Sequence, residues 1–189
     1  MSYRRFLLLF NQFPIEESQV KAGNNVWQVI VACRCINVGL FISGDLRRNV
    51  EVSIAYGDSR DLQVITFPGA TLKRVSPDER SISFFLLKAA RALESLSLGE
   101  SRKMDNGIEI RRVDLMDLLA LWPESDIYLA ADDIDQGQEQ TSALSGLFVY
   151  AVEQGEMMED LSGRPPIYLP RPTHPERFIL DINFAADRA

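Results

Sequence analysis

Leu147-Phe-Val-Tyr-Ala-Val152 is an unbroken apolar run of six residues. A run this short reads as a strand, and with no polar side to turn toward water it must be covered on both faces. That requirement places it at the centre of a parallel sheet with helices above and below, an α/β fold. Residues 4–10 read as a first strand, and Val50, Val52, Ile54 and Tyr56 alternate with the period of a half-covered one. Leu62 to Phe67, residues 108–112 and residues 127–130 read as further strands, with a turn expected at Gly57-Asp58.

Helical spacing appears between the strands. Val26, Trp27, Ile30, Val31, Ile36, Leu40 and Phe41 predict a helix over 24–42, closed by Gly44 as a C-cap. Ser76-Pro-Asp-Glu79 predicts a second, with Ser76 as N-cap and Pro77 at the first helical position. It is expected to run to about Leu98 and to bury Phe84, Leu87, Ala90 and Leu93 or their neighbours. Asp114 caps a short helix ending near Trp122-Pro123, and the acidic stretch 132–142 reads as a surface loop. Five prolines between Pro165 and Pro175 exclude a regular helix there.

With 189 residues, 46% of them hydrophobic, the chain suits one domain spanning 1–189. No apolar run approaches the roughly 18 residues of a membrane span. Arg4-Arg5 before Phe6–Phe10 has the outline of a signal peptide, but the apolar part is too short and no cleavage site follows, so a strand is expected. Cys33 and Cys35, one residue apart on a helix, point about 200° away from each other. They read as reduced packing residues of a cytoplasmic protein. With one histidine in the chain a cysteine–histidine zinc site lacks ligands. Asp132-Asp133 is a solvated loop pair more readily than a magnesium site, and no metal is expected.

A net charge of −7 argues against indiscriminate binding of nucleic acid by the whole surface. It leaves room for local basic patches, and the cations do gather, at Arg47-Arg48, Lys73-Arg74, Arg111-Arg112 and Arg164 with Arg171. No nucleophile elbow, P-loop or dinucleotide fingerprint is present. Two features carry chemistry. Asp45, Arg47 and Arg48 lie between a helix and a strand; they suit an anion or a base N–H, or else a structural ion pair. Lys73 and Arg74 precede a helix N-terminus, which favours an anion, or else marks an ordinary capped helix.

Asp45-Leu-Arg-Arg-Asn-Val-Glu-Val, Phe67-Pro-Gly-Ala-Thr-Leu-Lys-Arg-Val-Ser-Pro-Asp-Glu-Arg80 and Ser81-Ile-Ser-Phe-Phe-Leu-Leu-Lys-Ala-Ala90 resemble the archaeal tRNA pseudouridine N1-methyltransferases, of the SPOUT class of α/β-knot methyltransferases. Cys33-Arg34-Cys35 and Asn106-Gly-Ile-Glu-Ile-Arg-Arg112 extend the resemblance, which runs from about residue 25 to residue 130. It implies a mostly parallel sheet flanked by helices, a carboxy-terminal trefoil knot holding S-adenosylmethionine, and a homodimer with sites at the subunit interface. It also implies methyl transfer to N1 of pseudouridine in the T-loop of tRNA. The expected partners are tRNA or another structured RNA and a second copy, with neither membrane nor DNA.

By the same resemblance, Asp45, Arg47 and Arg48 are the catalytic candidates and hold the nucleoside and its phosphate. Lys73, Arg74 and Arg80 complete the RNA side. Ala151, Glu153, Gly155, Leu169 and His174 are the cofactor candidates. The cofactor half departs from the family pattern. Where the family carries glycine-aspartate-histidine-x-glycine, this chain has Ala151-Val-Glu-Gln-Gly155, and Ile167-Tyr-Leu-Pro-Arg-Pro-Thr-His-Pro-Glu176 adds prolines, which lack N–H donors. Two readings follow: a methyltransferase that holds its cofactor through main-chain groups, or an inactive homologue that binds RNA or a partner protein.

Overall fold

The computed structural model describes residues 3–122, 125–132, 134, 145–153 and 165–188. In chain order it contains β1 (Arg4–Phe10), α1 (Glu17–Ala22), α2 (Trp27–Leu40), the small hairpin β2 (Phe41–Ile42) and β3 (Asp45–Leu46), and the long hairpin β4 (Val50–Asp58) and β5 (Asp61–Pro68). There follow α3 (Glu79–Leu93), the hairpin β6 (Ser101–Lys103) and β7 (Glu109–Val113), α4 (Leu115–Ala120), β8 (Ile127–Ala131), β9 (Gly146–Ala151), β10 (Ile167–Pro170) and α5 (Pro175–Asp187). Eight strands form one sheet in the order β10-β8-β9-β1-β4-β5-β7-β6. The first five of these are mutually parallel, and β5, β7 and β6 continue the sheet antiparallel.

The apolar run sits where its composition requires. β9 is the middle strand of the parallel part, and Leu147, Phe148, Val149 and Tyr150 are each 1% exposed. Alternation divides the sheet between two cores. Phe6, Leu8, Val52, Ile54, Phe148 and Tyr150 face a layer of α2, α3 and α5. Leu7, Leu9, Ala55, Val64, Leu147 and Val149 face the other way, against Leu115, Leu118 and Leu119 of α4. Each fully buried aliphatic or aromatic side chain contributes about 1.5–3 kcal/mol. The α/β class, with a mostly parallel sheet flanked by helices, matches the SPOUT-like expectation. The trefoil knot turns on the path of residues 154–164, which lie outside the described residues, as does most of the acidic loop 132–142.

Several boundaries differ from expectation for local reasons. The segment 24–42 is helical only over Trp27–Leu40, and α1 precedes it, capped by Gly23 in the left-handed region. Gly44, at φ 79°, turns the β2–β3 hairpin rather than capping α2. The β4–β5 turn falls at residues 59–60, with Gly57-Asp58 still paired in the ladder. Helix α3 starts two residues later than Ser76 implies, because Asp78 is the N-cap: its Oδ1 accepts from the Ser81 N–H at 2.8 Å. It ends at Leu93 and buries Ile82, Ser83, Leu86, Leu87, Ala89 and Leu93, leaving Phe84 half exposed. Among the described residues no helix is long and apolar enough to cross a membrane.

Candidate functional site

Because β10, β8, β9, β1 and β4 run in one direction, the sheet has an amino edge and a carboxyl edge. β1 has seven residues, so the two edges are about 20 Å apart. In parallel sheets ligands collect beyond the carboxyl ends of the strands. Ala151 and Glu153, at the end of β9, lie at that edge, with Leu169 in β10 and His174 just before α5. Gly155 lies outside the described residues. Ala151 is buried, and Oε2 of Glu153 accepts from the backbone N–H of Asn11, which follows β1, at 2.6 Å. His174 is exposed and occupies the N-cap position of α5 without a side-chain cap bond.

Asp45, Arg47 and Arg48 lie at the opposite edge, just before β4. They do not act alike. Arg47 donates through Nε and Nη2 to Oδ2 of Asp187, at 3.2 and 2.8 Å, and through Nη1 to the carbonyls of Val38 and Phe41. Asp187 also receives Arg4, whose side chain is 3% exposed. Arg4 and Arg47 therefore fasten the end of α5 to the amino edge. Burial pushes the Asp187 carboxyl up, but the Arg47 hydrogen bond and the two arginine charges outweigh it, and the net effect is downward. Arg48 pairs with Asp45 at 3.0 Å and donates to the Gly69 carbonyl at 3.3 Å. Asp45 is exposed and accepts from its neighbour Leu46 N–H as well; that bond first, and Arg48 second, lower its pKa.

The same edge holds the start of the basic loop. A Cβ on Gly69 would lie 2.0 Å from the Arg47 carbonyl oxygen, so the Asp45–Arg48 turn and the loop after β5 touch backbone to backbone. Lys73 N–H donates to the Asn106 carbonyl, and a Cβ on Gly107, at φ 88°, would meet the Thr71 carbonyl at 2.2 Å. The loop is thereby locked to the β6–β7 turn. Its tip carries Arg74 at φ 61°, the left-handed region that a long side chain rarely occupies. Lys73 and Arg74 are exposed and make no ion pair among the described residues. Arg80 is exposed in the first turn of α3. Glu79, its neighbour, accepts from Asn25, just before α2, and through its carbonyl from Cys33 of α2.

The Arg111-Arg112 cluster is structural, Arg112 gripping Asp61 with two bonds of 2.6 Å. Arg164 lies outside the described residues. Arg171 was one member of a loose cluster in sequence, and in the fold its guanidinium stands 4.5 Å above the Tyr150 ring. Nothing in the sequence marked Asp187, whose partners lie more than 100 residues away, and the apolar run placed Tyr150 in the core without showing that its hydroxyl meets Pro172, 22 residues on. Among the described residues there is no group of three or more side chains able to hold a metal ion.

Comparison with known proteins bears on these edges. Residues 13–168 match a family described as "Putative SAM-dependent RNA methyltransferase". The match continues beyond residue 130 through β9 and into β10, so it covers the departing segment 151–155 but only the first two residues of the departing segment 167–176. The chain is 28% identical over 185 residues to the tRNA (pseudouridine(54)-N(1))-methyltransferase of Natronomonas pharaonis, covering 93% of this chain and 92% of that protein. It is 40% identical over 92 residues to the protein of that name from Methanocaldococcus jannaschii, and 35% over 83 residues to that from Haloferax volcanii. Those two matches span 44% and 40% of the relatives' own length. The chain belongs to the family of SAM-dependent RNA methyltransferases.

Proposed function

We propose that the protein transfers a methyl group from S-adenosylmethionine to N1 of pseudouridine in the T-loop of tRNA, as a cytoplasmic homodimer of one SPOUT-like domain over residues 1–189. The observation that carries this reading is the full-length likeness to a relative of that name, joined to the separation of basic and cofactor-side residues onto two edges. The carboxyl edge suits the cofactor. It offers the buried Ala151, a carboxylate at Glu153 whose Oε1 has no partner among the described residues and suits a ribose hydroxyl, and the backbone donors of Thr173 and His174. When bound, S-adenosylmethionine supplies an activated methyl on a sulfonium.

In the transfer the N1–CH3 bond forms as the S–CH3 bond breaks, and the N1 proton leaves. Asp45, its pKa lowered by the Leu46 N–H and then by Arg48, is an ionised hydrogen-bond acceptor and a weak base. It orients the N1–H, and solvent takes the proton. Arg48 and Lys73 and Arg74 hold phosphates, while Arg47 positions the turn.

About 20 Å separates Asp45 from the cofactor edge of its own chain, so a second copy completes the site. Helices α2 and α5 run side by side from the carboxyl to the amino edge: Arg34 meets Glu176 near one end and Gly39 meets Asn183 near the other. They expose Trp27, Leu180 and Phe184, and Ile42 of β2, just beyond the end of α2, is exposed as well. Two copies packed antiparallel on that face bring Asp45 of one beside the His174 end of the other. The test is methyl transfer from labelled S-adenosylmethionine to a T-arm RNA with pseudouridine, against the same RNA with uridine. Product on the pseudouridine RNA alone supports the reading. No product, together with undiminished RNA binding, favours the inactive RNA-binding homologue.

A further inference from the structure

We infer that Tyr150 and Arg171 are positioning residues for S-adenosylmethionine, holding the 171–174 loop so that its backbone N–H groups face the cofactor; this rests on reading the carboxyl edge as the cofactor side. Tyr150 is the penultimate residue of the central strand β9, and its hydroxyl donates to the Pro172 carbonyl at 2.5 Å. A trans peptide points its C=O and the following N–H in opposite directions. Drawing the Pro172 carbonyl down to the sheet therefore turns the Thr173 N–H outward, away from the core.

Few other donors remain in this loop. Pro170, Pro172 and Pro175 have no N–H, and Arg171 N–H is spent on the Ala131 carbonyl at 3.1 Å. Thr173 and His174 N–H have no partner among the described residues. Both residues are exposed. The prolines thus concentrate the donor capacity of the loop in two adjacent peptides, and the Tyr150 hydroxyl fixes the direction of the first. Adenine nitrogens and ribose hydroxyls are acceptors that such donors serve.

Arg171 makes the arrangement rigid. Its guanidinium lies over the Tyr150 ring, and its Nε is 3.8 Å from Oδ1 of Asp132, the residue that follows β8. The loops after the neighbouring strands β8 and β10 are thereby tied together beside Tyr150 of β9. Tyr150 also packs on Phe178 of α5, with ring centroids 5.7 Å apart, so replacing tyrosine by phenylalanine keeps the packing and removes only the hydroxyl.

The test is calorimetric titration with S-adenosylhomocysteine, together with steady-state kinetics, on wild type, Tyr150→Phe and Arg171→Gln. Tyr150→Phe is expected to raise the Kd, and the KM for S-adenosylmethionine, by roughly three- to tenfold. kcat and tRNA affinity stay at wild-type values, and amide exchange at Thr173 and His174 quickens. Arg171→Gln moves the same quantities in the same direction. A Kd within twofold of wild type in both variants overturns the proposal, whatever their stability. Wild type that fails to bind S-adenosylhomocysteine at millimolar concentration removes the cofactor reading of this edge, and the proposal with it. Wild type that binds, with variants that bind equally, removes the proposal alone.

Discussion

The two edges of the sheet are built on different physics. The amino edge is ionic: Asp187 holds Arg4 and Arg47, Asp45 holds Arg48, and the loop with Lys73 and Arg74 is pinned beside them. The carboxyl edge is aromatic and proline-rich, and its loops are held by a phenol hydroxyl, a stacked guanidinium that also faces Asp132, the Glu153 carboxylate on Asn11 N–H, and main-chain bonds. Charge is therefore a poor guide to function at the amino edge. Arg47 and Arg4 are spent on structure, whereas the neighbouring Lys73 and Arg74 are exposed and unpaired among the described residues. At the carboxyl edge the contacts proposed for the cofactor are peptide groups and the Glu153 carboxylate.

The largest expected effect tests whether the edges meet across two copies. Asp45→Ala and Thr173→Pro are each expected to lose methyl transfer by about a hundredfold. Mixed after joint refolding, they regain about a quarter of wild-type activity, because half the dimers pair one intact amino edge with one intact carboxyl edge. Activity that stays at the level of either variant breaks the two-copy arrangement.

Next in size is the ionic clasp. Asp187→Ala leaves Arg4 with little more than the Asn183 carbonyl, and is expected to cost about 2 kcal/mol in urea unfolding, less than a fully buried pair because Asp187 is partly exposed. A midpoint equal to that of wild type removes the clasp as a stabilising element. The same pair carries a pH signature. The folded-state pKa of Asp187 is lowered, so its contribution is fully present above the unfolded value of about 3.9 and is lost as pH falls through the folded one. Wild type minus Asp187→Ala stability, followed from pH 6 to pH 2.5, is expected to shrink only below about pH 4. A difference independent of pH shows that packing, not charge, is what Asp187 supplies.

The smallest expected change in stability comes from Arg74→Gly. Glycine relieves the left-handed backbone but adds unfolded-state entropy, so stability is expected to move by less than about 1 kcal/mol. Affinity for tRNA nonetheless falls, and the slope of log K against log salt shrinks by about 0.7–0.9, the share of one phosphate contact. An unchanged slope places Arg74 outside the RNA path.

The apolar run at 147–152 and the Asp114 cap were legible because each is a local pattern with one physical reading, whereas the alternation in β4 gave the strand but not its cover: Ser53 and Ala55, on the face read as open, are buried too. The start of α3 was misplaced because Ser76 and Asp78 are both able caps, and the competition goes to the residue whose carboxylate reaches the Ser81 N–H. Gly44 was read as a helix cap because a left-handed glycine serves a hairpin turn equally well. The short edge strand β6 left no trace, since three exposed polar residues carry no periodicity.

Residue types, order and spacing alone determined the α/β class and drew attention to Asp45, Arg47, Arg48, Lys73 and Arg74. Tertiary structure decided which of those cations are already engaged, because an ion pair such as Arg47–Asp187 spans 140 positions that spacing cannot bridge. It also decided that the basic group and the residues proposed for the cofactor, Ala151, Glu153, Leu169 and His174, occupy opposite edges. That follows from the parallel pairing of β1 with β4 and β9, which puts every strand start at one end and every strand finish at the other.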